Sequence, residues 1–347
     1  MIEALVKSLV IVFVMLTGFA YLTWVERKVM ARLQTRYGPN RAGPFGLLQP
    51  LADGLKLIFK EELIPSQADR VIFVLAPVIT VVPALLLFAV VPMGGRVSVG
   101  STQIALAITD VNVAVLYILA ITSIAVYGIA LAGWSSNNKY ALLGGLRSTA
   151  QMISYELPLA LAIVGVLLLS GSMSLNDIVQ RQLETLQLGG NRAGVWFIFL
   201  QPIAGFIFLI TALAETNRAP FDLPEAEQEL TAGYHTEYSG MKFALFFMAE
   251  YIKMIAVSAL SVTLFFGGWL PPFPNLLRGF WEAVGGFTWL SPIWFGGKVV
   301  MLLVVMVWIR ATLPRLRYDQ LMHFGWKFMM PLSLLNVVLT AGLMVIL

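Results

Sequence analysis

Between two long apolar runs the sequence reads AETNRAPFDLPEAEQELTAGYHTEYSG over residues 214–240, placing Glu215, Asp222, Glu225, Glu227, Glu229 and Glu237 around one firm cation, Arg218. Two more carboxylates stand within apolar runs, Glu156 in SYELPL and Glu250 in FMAEYIK, the latter with Lys253 three residues on. Desolvation raises a carboxylate's pKa, and a second carboxylate nearby raises one of the pair further. Such groups in sequence pass a proton at neutral pH, and ionisable residues inside a membrane default to functional candidates. A vestibule that attracts cations is the other chemistry open to them, and it predicts fixed negative charge. Blander roles exist beside these. Glu250 and Lys253 are spaced as an i,i+3 pair, and Glu156 and Glu215 stand near span ends where headgroups would wet them.

Local signals order this acidic stretch. Pro220 and Pro224 forbid an uninterrupted helix. Asp222, three residues before Glu225, resembles a capping box with Asp in the Ser/Thr place. A short helix over 223–232 is predicted, ended by Gly233. Glu225 and Glu229 then share a face, Glu227 projects elsewhere, and the helix dipole gives Glu225 a structural reason to be there.

A second candidate region runs over 26–65. GPNRAGP is a turn-rich break. After it Leu48, Leu51, Leu55, Ile58 and Phe59 repeat at helical spacing, with Gln49, Asp53, Lys56 and Lys60 on another face. This predicts an amphipathic helix over 47–59 able to lie in a membrane interface. Arg27 and Arg36 flank the exit of the preceding apolar run. Together with Asp53 they make a polar-ended entry between membrane helices, unless the helix is an interfacial anchor alone.

The elements that position these groups follow from composition. Of 347 residues 59% are hydrophobic and 12% charged, with mean hydropathy +0.82; soluble domains carry about twice that charged fraction. The chain reads as an all-α integral membrane protein forming one polytopic domain. A spanning helix needs about 20 apolar residues. Spans are predicted at about 2–24, 71–92, 113–133, 155–170, 196–214, 242–268, 296–313 and 328–346, eight in all. Continuous rather than alternating runs exclude an outer-membrane barrel. The first run lacks a basic n-region and is stopped by Glu26-Arg27-Lys28, so it is read as a retained helix. Sixteen Lys and Arg fall in loops on one side of this topology and five on the other. Both termini are therefore expected on the outer side, with the basic and acidic loops in the cytoplasm. The net charge of +4 reflects that topology rather than a nucleic-acid partner. Trp269, Trp281, Trp289 and Trp294 suit a headgroup-level belt.

The chain has no cysteine and two histidines without ligand-spaced companions, so it offers no iron–sulfur ligation. It has no GxGxxG or Walker motif. No metal, nucleotide or flavin is expected to be held by this chain, which leaves a transporter, a channel or a membrane subunit of a larger machine.

GPNRAGPFGLLQPLADGLKLIFKEE and AETNRAPFDLPEAEQELTAGYHTEYSGMKFALFFMAEY closely resemble the two signature loops of one family. It is the H subunit of bacterial NADH:quinone oxidoreductase, respiratory complex I, equivalent to mitochondrial NADH dehydrogenase subunit 1. The resemblance extends to the span count, the SYE segment and LPRLRYDQLMHFGWK before the last span. It implies an inner-membrane subunit that anchors the hydrophilic arm, beside neighbouring small membrane subunits and lipids. It implies a tunnel for quinone, ubiquinone or menaquinone, whose headgroup site is shared with two hydrophilic-arm subunits. FMN and iron–sulfur clusters would sit in partner subunits, and proton translocation would be coupled to quinone reduction. Carried over residue by residue, the tunnel maps to Arg27, Arg36, Asp53, Arg218 and Phe221. The coupling path maps to Glu156, Glu215, Asp222, Glu225, Glu227 and Glu229, to which the intramembrane position of Glu250 adds a further candidate.

Two other readings compete. The homologous subunit of a membrane-bound hydrogenase or related dehydrogenase shares the helices but needs no long quinone tunnel, and the intact GPNRAGPFGLLQP favours the quinone enzyme. An autonomous ion transporter explains acids in spans but not the paired large loops.

Overall fold

A computed structural model describes residues 2–99, 102–184, 186–188, 191–222, 233–272, 274, 279, 281 and 289–346. Among these, seven helices are long and apolar enough to cross a membrane, and an eighth apolar helix, Pro202–Glu215, is shorter. The chain is an all-α multi-pass membrane protein, and the number of crossings is approximately the eight expected.

The elements in order are α1 (Ile2–Leu33), α2 (Gln49–Ile58), α3 (Arg70–Leu86), the hairpin β1 (Arg96–Val99) and β2 (Thr102–Ala105), α4 (Ala114–Ser135), α5 (Lys139–Ser170) and α6 (Leu175–Glu184). The hairpin β3 (Leu186–Leu188) and β4 (Asn191–Ala193) follows, then α7 (Phe197–Leu200), α8 (Pro202–Glu215), α9 (Gly240–Phe265), α10 (Ser291–Thr312), α11 (Tyr318–Phe324) and α12 (Met330–Ile346). Both hairpins are antiparallel, with Arg96 opposite Ala105 and Leu186 opposite Ala193. They lie in segments expected as plain loops.

α9 is the axis of the bundle: 67% of its most apolar stretch is buried inside the chain, against 11% for α1. α1, α3, α8 and α10 pack around it, and α5 connects that group to α4 and α12. The α4–α5 crossing is close because Gly133 and Gly145 face each other; a Cβ on Gly133 would stand 2.7 Å from the Ala141 carbonyl oxygen. Small residues let membrane helices approach where burial of apolar surface gives no advantage over lipid.

Several helix ends differ from expectation for identifiable reasons. α1 continues past residue 24 to Leu33, because the charges that should have stopped it are paired. Arg310 donates to Glu26, Arg27 to Asp53, and Lys28 to Asn40. α5 starts at Lys139, not 155, so Glu156 is mid-helix and opens nothing. The added turns carry Gly144, Arg147, Ser148 and Gln151. They lower hydropathy, yet Gly144, Ser148 and Gln151 are buried against protein. The segment expected at 196–214 breaks at Gln201 into α7 and α8, where Pro202 cannot donate a backbone hydrogen bond. The last segment begins at Tyr318, and a π-turn at Gly325–Met329 carries α11 into α12. The amphipathic helix is Gln49–Ile58, against 47–59 expected. The tryptophan belt is reduced: Trp289 is exposed, whereas Trp269 and Trp281 are buried.

Candidate functional site

The turn that leaves α8 is built around one side chain the sequence did not single out. Gln151 of α5 is fully buried. Its amide donates to the carbonyl oxygens of Ala214 at 2.9 Å and Phe221 at 2.8 Å, and to Asn217 Oδ1 at 3.3 Å. One residue thus fixes both ends of the 214–221 turn against α5. The Ala219–Pro220 peptide is cis, and the Pro220 carbonyl accepts from Leu316 N at 3.0 Å. The Phe221 ring packs on Tyr155, with centroids 5.4 Å apart.

This turn delivers Arg218 into the bundle, where it is 2% exposed. Arg218 Nη1 lies 3.8 Å from Glu26 Oε1 of α1 and Nη2 lies 3.7 Å from Glu250 Oε2 of α9. Its guanidinium carbon stands 4.2 Å from the Tyr251 ring centroid, a cation–π contact in a desolvated place. Arg310 of α10 binds the same oxygen of Glu26. Tyr234 Oη donates to Glu250 Oε1 at 3.4 Å. Charges are tolerated here because each faces an opposite charge or a donor. Lys253, one turn along α9 from Glu250, is buried and close enough to Glu215, Glu250 and Glu156 to feel all three charges. Glu215, at the end of α8, is buried as well. Glu156 is half-buried and accepts from Ser123 Oγ.

The expected roles shift accordingly. Arg218 is expected as the counter-charge of the acidic stretch; among the described residues it faces Glu26 and Glu250. Asp222 is met by Arg315, whose Nη2 lies 3.1 Å away. Glu250 reaches Arg218, a partner from another element, in addition to sharing a helix with Lys253. Glu237 serves the structure, since Asn138 Nδ2 donates to it at 2.7 Å while Asn138 Oδ1 caps α5 through Tyr140 N. Glu225, Glu227 and Glu229, and the helix expected over 223–232, lie outside the described residues.

The second candidate region forms at the same end of the bundle. Asp53 of α2 accepts from Arg27 Nη1 at 2.6 Å and from Gln49 Nε2 at 3.1 Å. Arg36 is exposed and donates from Nε to Gln34 Oε1 at 2.8 Å. Arg27 and Asp53 are therefore brought together across two elements, while Arg36 stands apart on the connecting segment. The two regions are tied to each other. Leu63 N donates to Ser239 Oγ at 3.1 Å, and Lys242 Nζ lies 2.5 Å from Glu62 Oε2.

Outside the spanning helices, His235 sits in an aromatic cage. Its ring lies 3.9 Å from Tyr234 and 5.3 Å from Phe246 by centroids. Burial pushes its pKa down from 6.5 to about 3, so the imidazole is neutral at physiological pH. Nearby Tyr238 stacks on Phe73 at 4.0 Å, and burial pushes its phenol up to about 12.

Gln151, Glu26 and Arg310 carry as much of this site as the residues expected from sequence. Their signal was present only as polar side chains inside otherwise apolar helices, and their partners lie 63 to 284 positions away.

The comparisons with known proteins agree on one family. A family described as NADH dehydrogenase matches residues 6–341. An H subunit of the NADH-quinone oxidoreductase of Koribacter versatilis is 52% identical, covering 98% of this chain and 96% of that relative. The H subunit of the Protochlamydia amoebophila oxidoreductase is 52% identical over 94% of this chain and 92% of its own. The H subunit from Thermomicrobium roseum is 52% identical over 98% and 95%.

Proposed function

Because the chain belongs to the NADH dehydrogenase family and is an H-type membrane subunit of an NADH-quinone oxidoreductase, we propose that it admits quinone near α2 and couples quinone reduction to proton translocation. The observation that carries this reading is the run of ionisable groups from half-buried Arg310 through buried Glu26, Arg218 and Glu250, with Lys253, Glu215 and Glu156 close to it. Apolar membrane helices do not bear desolvated charge without a use for it.

In this reading Arg27 and Asp53 border the mouth, with Arg36 on the approach. Arg218 and Phe221, fixed by Gln151, stand at the inner wall. Reduction of a quinone consumes protons and changes the local charge. A change beside Arg218 alters the balance at Glu26 and Glu250 directly, and at Glu215 through Lys253. Glu156, Glu215, Asp222, Glu225, Glu227, Glu229 and Glu250 are the proposed path. NADH, FMN and the iron–sulfur clusters belong to hydrophilic partner subunits, since this chain has no thiolate to hold a cluster. The end of the bundle bearing α2 and the acidic turn is proposed to face the cytoplasm, docked to that arm, with both termini opposite.

The test is Glu215→Gln in the assembled enzyme, which removes one titrating group and little volume. Proton pumping per quinone reduced, or quinone reductase activity itself, should fall by about a hundredfold, the lower end of the scale of a lost proton-transfer group. Wild-type values in both would remove Glu215 from the path.

A further inference from the structure

One intramembrane charge takes no part in the cluster around Arg218. Lys298 stands in α10 about two turns in from Ser291. Arg310, at the far end of the same helix, binds Glu26, so Lys298 lies toward the end of the bundle away from the acidic turn. A lysine near the end of a spanning helix ordinarily reaches outward to headgroups. This one turns inward. Its Nζ donates to the carbonyl oxygens of Phe266 at 2.7 Å, Gly268 at 3.0 Å and Leu270 at 2.7 Å. The Trp196 ring offers its face at 4.8 Å. No carboxylate pairs with it among the described residues. Three acceptors on one nitrogen use every N–H of an ammonium, and a neutral amine has only two.

The sequence FFGGWLPP over residues 265–272 builds this cage. Gly267 and Gly268 have φ of +74° and +52°, a left-handed pair that side chains disfavour. They fold the chain back on the end of α9, where Gly268 N donates to the Val262 carbonyl at 2.8 Å, and the carbonyls of Phe266, Gly268 and Leu270 converge. A helix C-terminus is also the negative end of its dipole. Buried Gln182 of α6 binds the same turn without charge: Nε2 donates to the Thr263 carbonyl and Oε1 accepts from Gly267 N, both at 3.0 Å. Between Met241 and Phe265 α9 contains no glycine or proline, the usual sites of a kink. A shift of this end therefore travels along the helix to Lys253 and Glu250.

We propose that Lys298 is a positioning residue whose ammonium fills a carbonyl cage suited to a small N–H-bearing cation, locks the end of α9, and so sets the height at which Glu250 meets Arg218. The use of Glu250 rests on the proton route proposed above; the lock does not.

The experiment measures hydrogen exchange of the amides of residues 262–270, together with quinone reductase activity, in the whole assembled oxidoreductase. In Lys298→Ala the exchange should speed up by about tenfold or more, as expected when hydrogen bonds to a charged group are lost. Activity should fall with it, by up to about a hundredfold for a displacement of about 1 Å. Butylammonium, which replaces the missing stem and its N–H donors, should restore both. Tetramethylammonium, with the charge but no N–H, should restore neither. Lys298→Met keeps the stem and packing, so it guards against a variant that fails to assemble. It should show the same loss, with no recovery by butylammonium because the cage is filled. Wild-type exchange in either variant overturns the proposal. So does equal recovery with the two cations, or faster exchange with activity unchanged, which would make Lys298 a local cap only. Wild-type activity in Glu250→Gln would remove that residue from the proton route, while exchange and its recovery by butylammonium would still decide the lock.

Discussion

Two buried polar residues, Gln151 and His235, each make a measurable prediction. Gln151 spans the turn through two carbonyls and an asparagine. Replacing it with Leu keeps the volume and abandons buried acceptors, each worth about 1–3 kcal/mol when left unsatisfied. Gln151→Leu should therefore cost about 2–4 kcal/mol of thermal stability in the assembled complex and lower quinone reductase activity, because Arg218 and Phe221 ride on this turn. A wild-type melting profile would show that the turn is held by other contacts. His235 acts through pH. Its pKa in the folded chain is about 3 against 6.5 when free, so the unfolded state binds the proton first. The stabilisation is complete above pH 6.5 and is lost as pH falls from there through about 3. At pH 5 the loss from this residue is about 2 kcal/mol. His235→Phe, filling the same aromatic cage, should lack that component. Comparing denaturation of the two proteins between pH 7 and pH 5 checks it, and parallel curves would mean that the imidazole is not neutral where it sits.

At the scale of elements, close approach of helices and turns to one another sets tolerance to change. A Cβ on Gly144 of α5 would stand 2.6 Å from Gly233 Cα, a backbone atom that cannot step aside. Gly144→Ala should destabilise by about 1–3 kcal/mol through overpacking and shift the Tyr234–His235 turn with it. Gly296→Ala in α10 is the internal control: its Cβ would meet open space, and it should leave stability unchanged or raise it by up to about 1 kcal/mol through helix propensity. Thermal midpoints of the two variants measured side by side decide the matter, and equal midpoints would refute the close packing. Gly144 also shows why α5 was legible only in part. Its apolar end, from about 155 onward, announced itself through hydropathy. Its first turns hold small and polar residues buried against protein rather than lipid, and a hydropathy pattern cannot distinguish that from a loop. The amphipathic α2 was legible because its period is local. The π-turn joining α11 to α12 was not, because no local period marks it, and the break before Pro202 carried a local signal but not its setting: Gln201 Nε2 donates to Thr340 Oγ1 at 2.7 Å and its Oε1 accepts from Asn336 at 3.2 Å, both from α12. The family resemblance rested on loop motifs, so it located the acidic turn and the α2 region together without saying which charges would meet.

For the molecule as a whole, the charges that meet are the ones that hold its parts together. Glu26 comes from α1, Arg310 from α10, Glu250 from α9, and Arg218 from the turn after α8. These elements are drawn from distant parts of the chain, so the cluster closes long loops with a few contacts in a low-dielectric interior. Breaking a buried pair by removing one member costs about 3–5 kcal/mol, because the remaining charge is left desolvated. Arg218→Met preserves much of the side-chain length and the packing on Tyr251 while deleting the charge between two carboxylates. It should destabilise the assembled complex by about that amount and loosen α1 from α9. If desolvated charge is the cause, neutralising an acid should restore part of the loss. Arg218→Met combined with Glu250→Gln should then be more stable than Arg218→Met alone, with a coupling of about 1–3 kcal/mol, the size seen between directly interacting groups. Glu250→Gln by itself should destabilise, since it removes a carboxylate that faces Arg218. A double-mutant cycle on thermal or denaturant unfolding of the complex reads these terms directly. Strict additivity of the two substitutions would mean that Arg218 and Glu250 do not interact across the bundle, and the charge cluster would then lose its place both as the clasp of the fold and as the start of the proposed proton path.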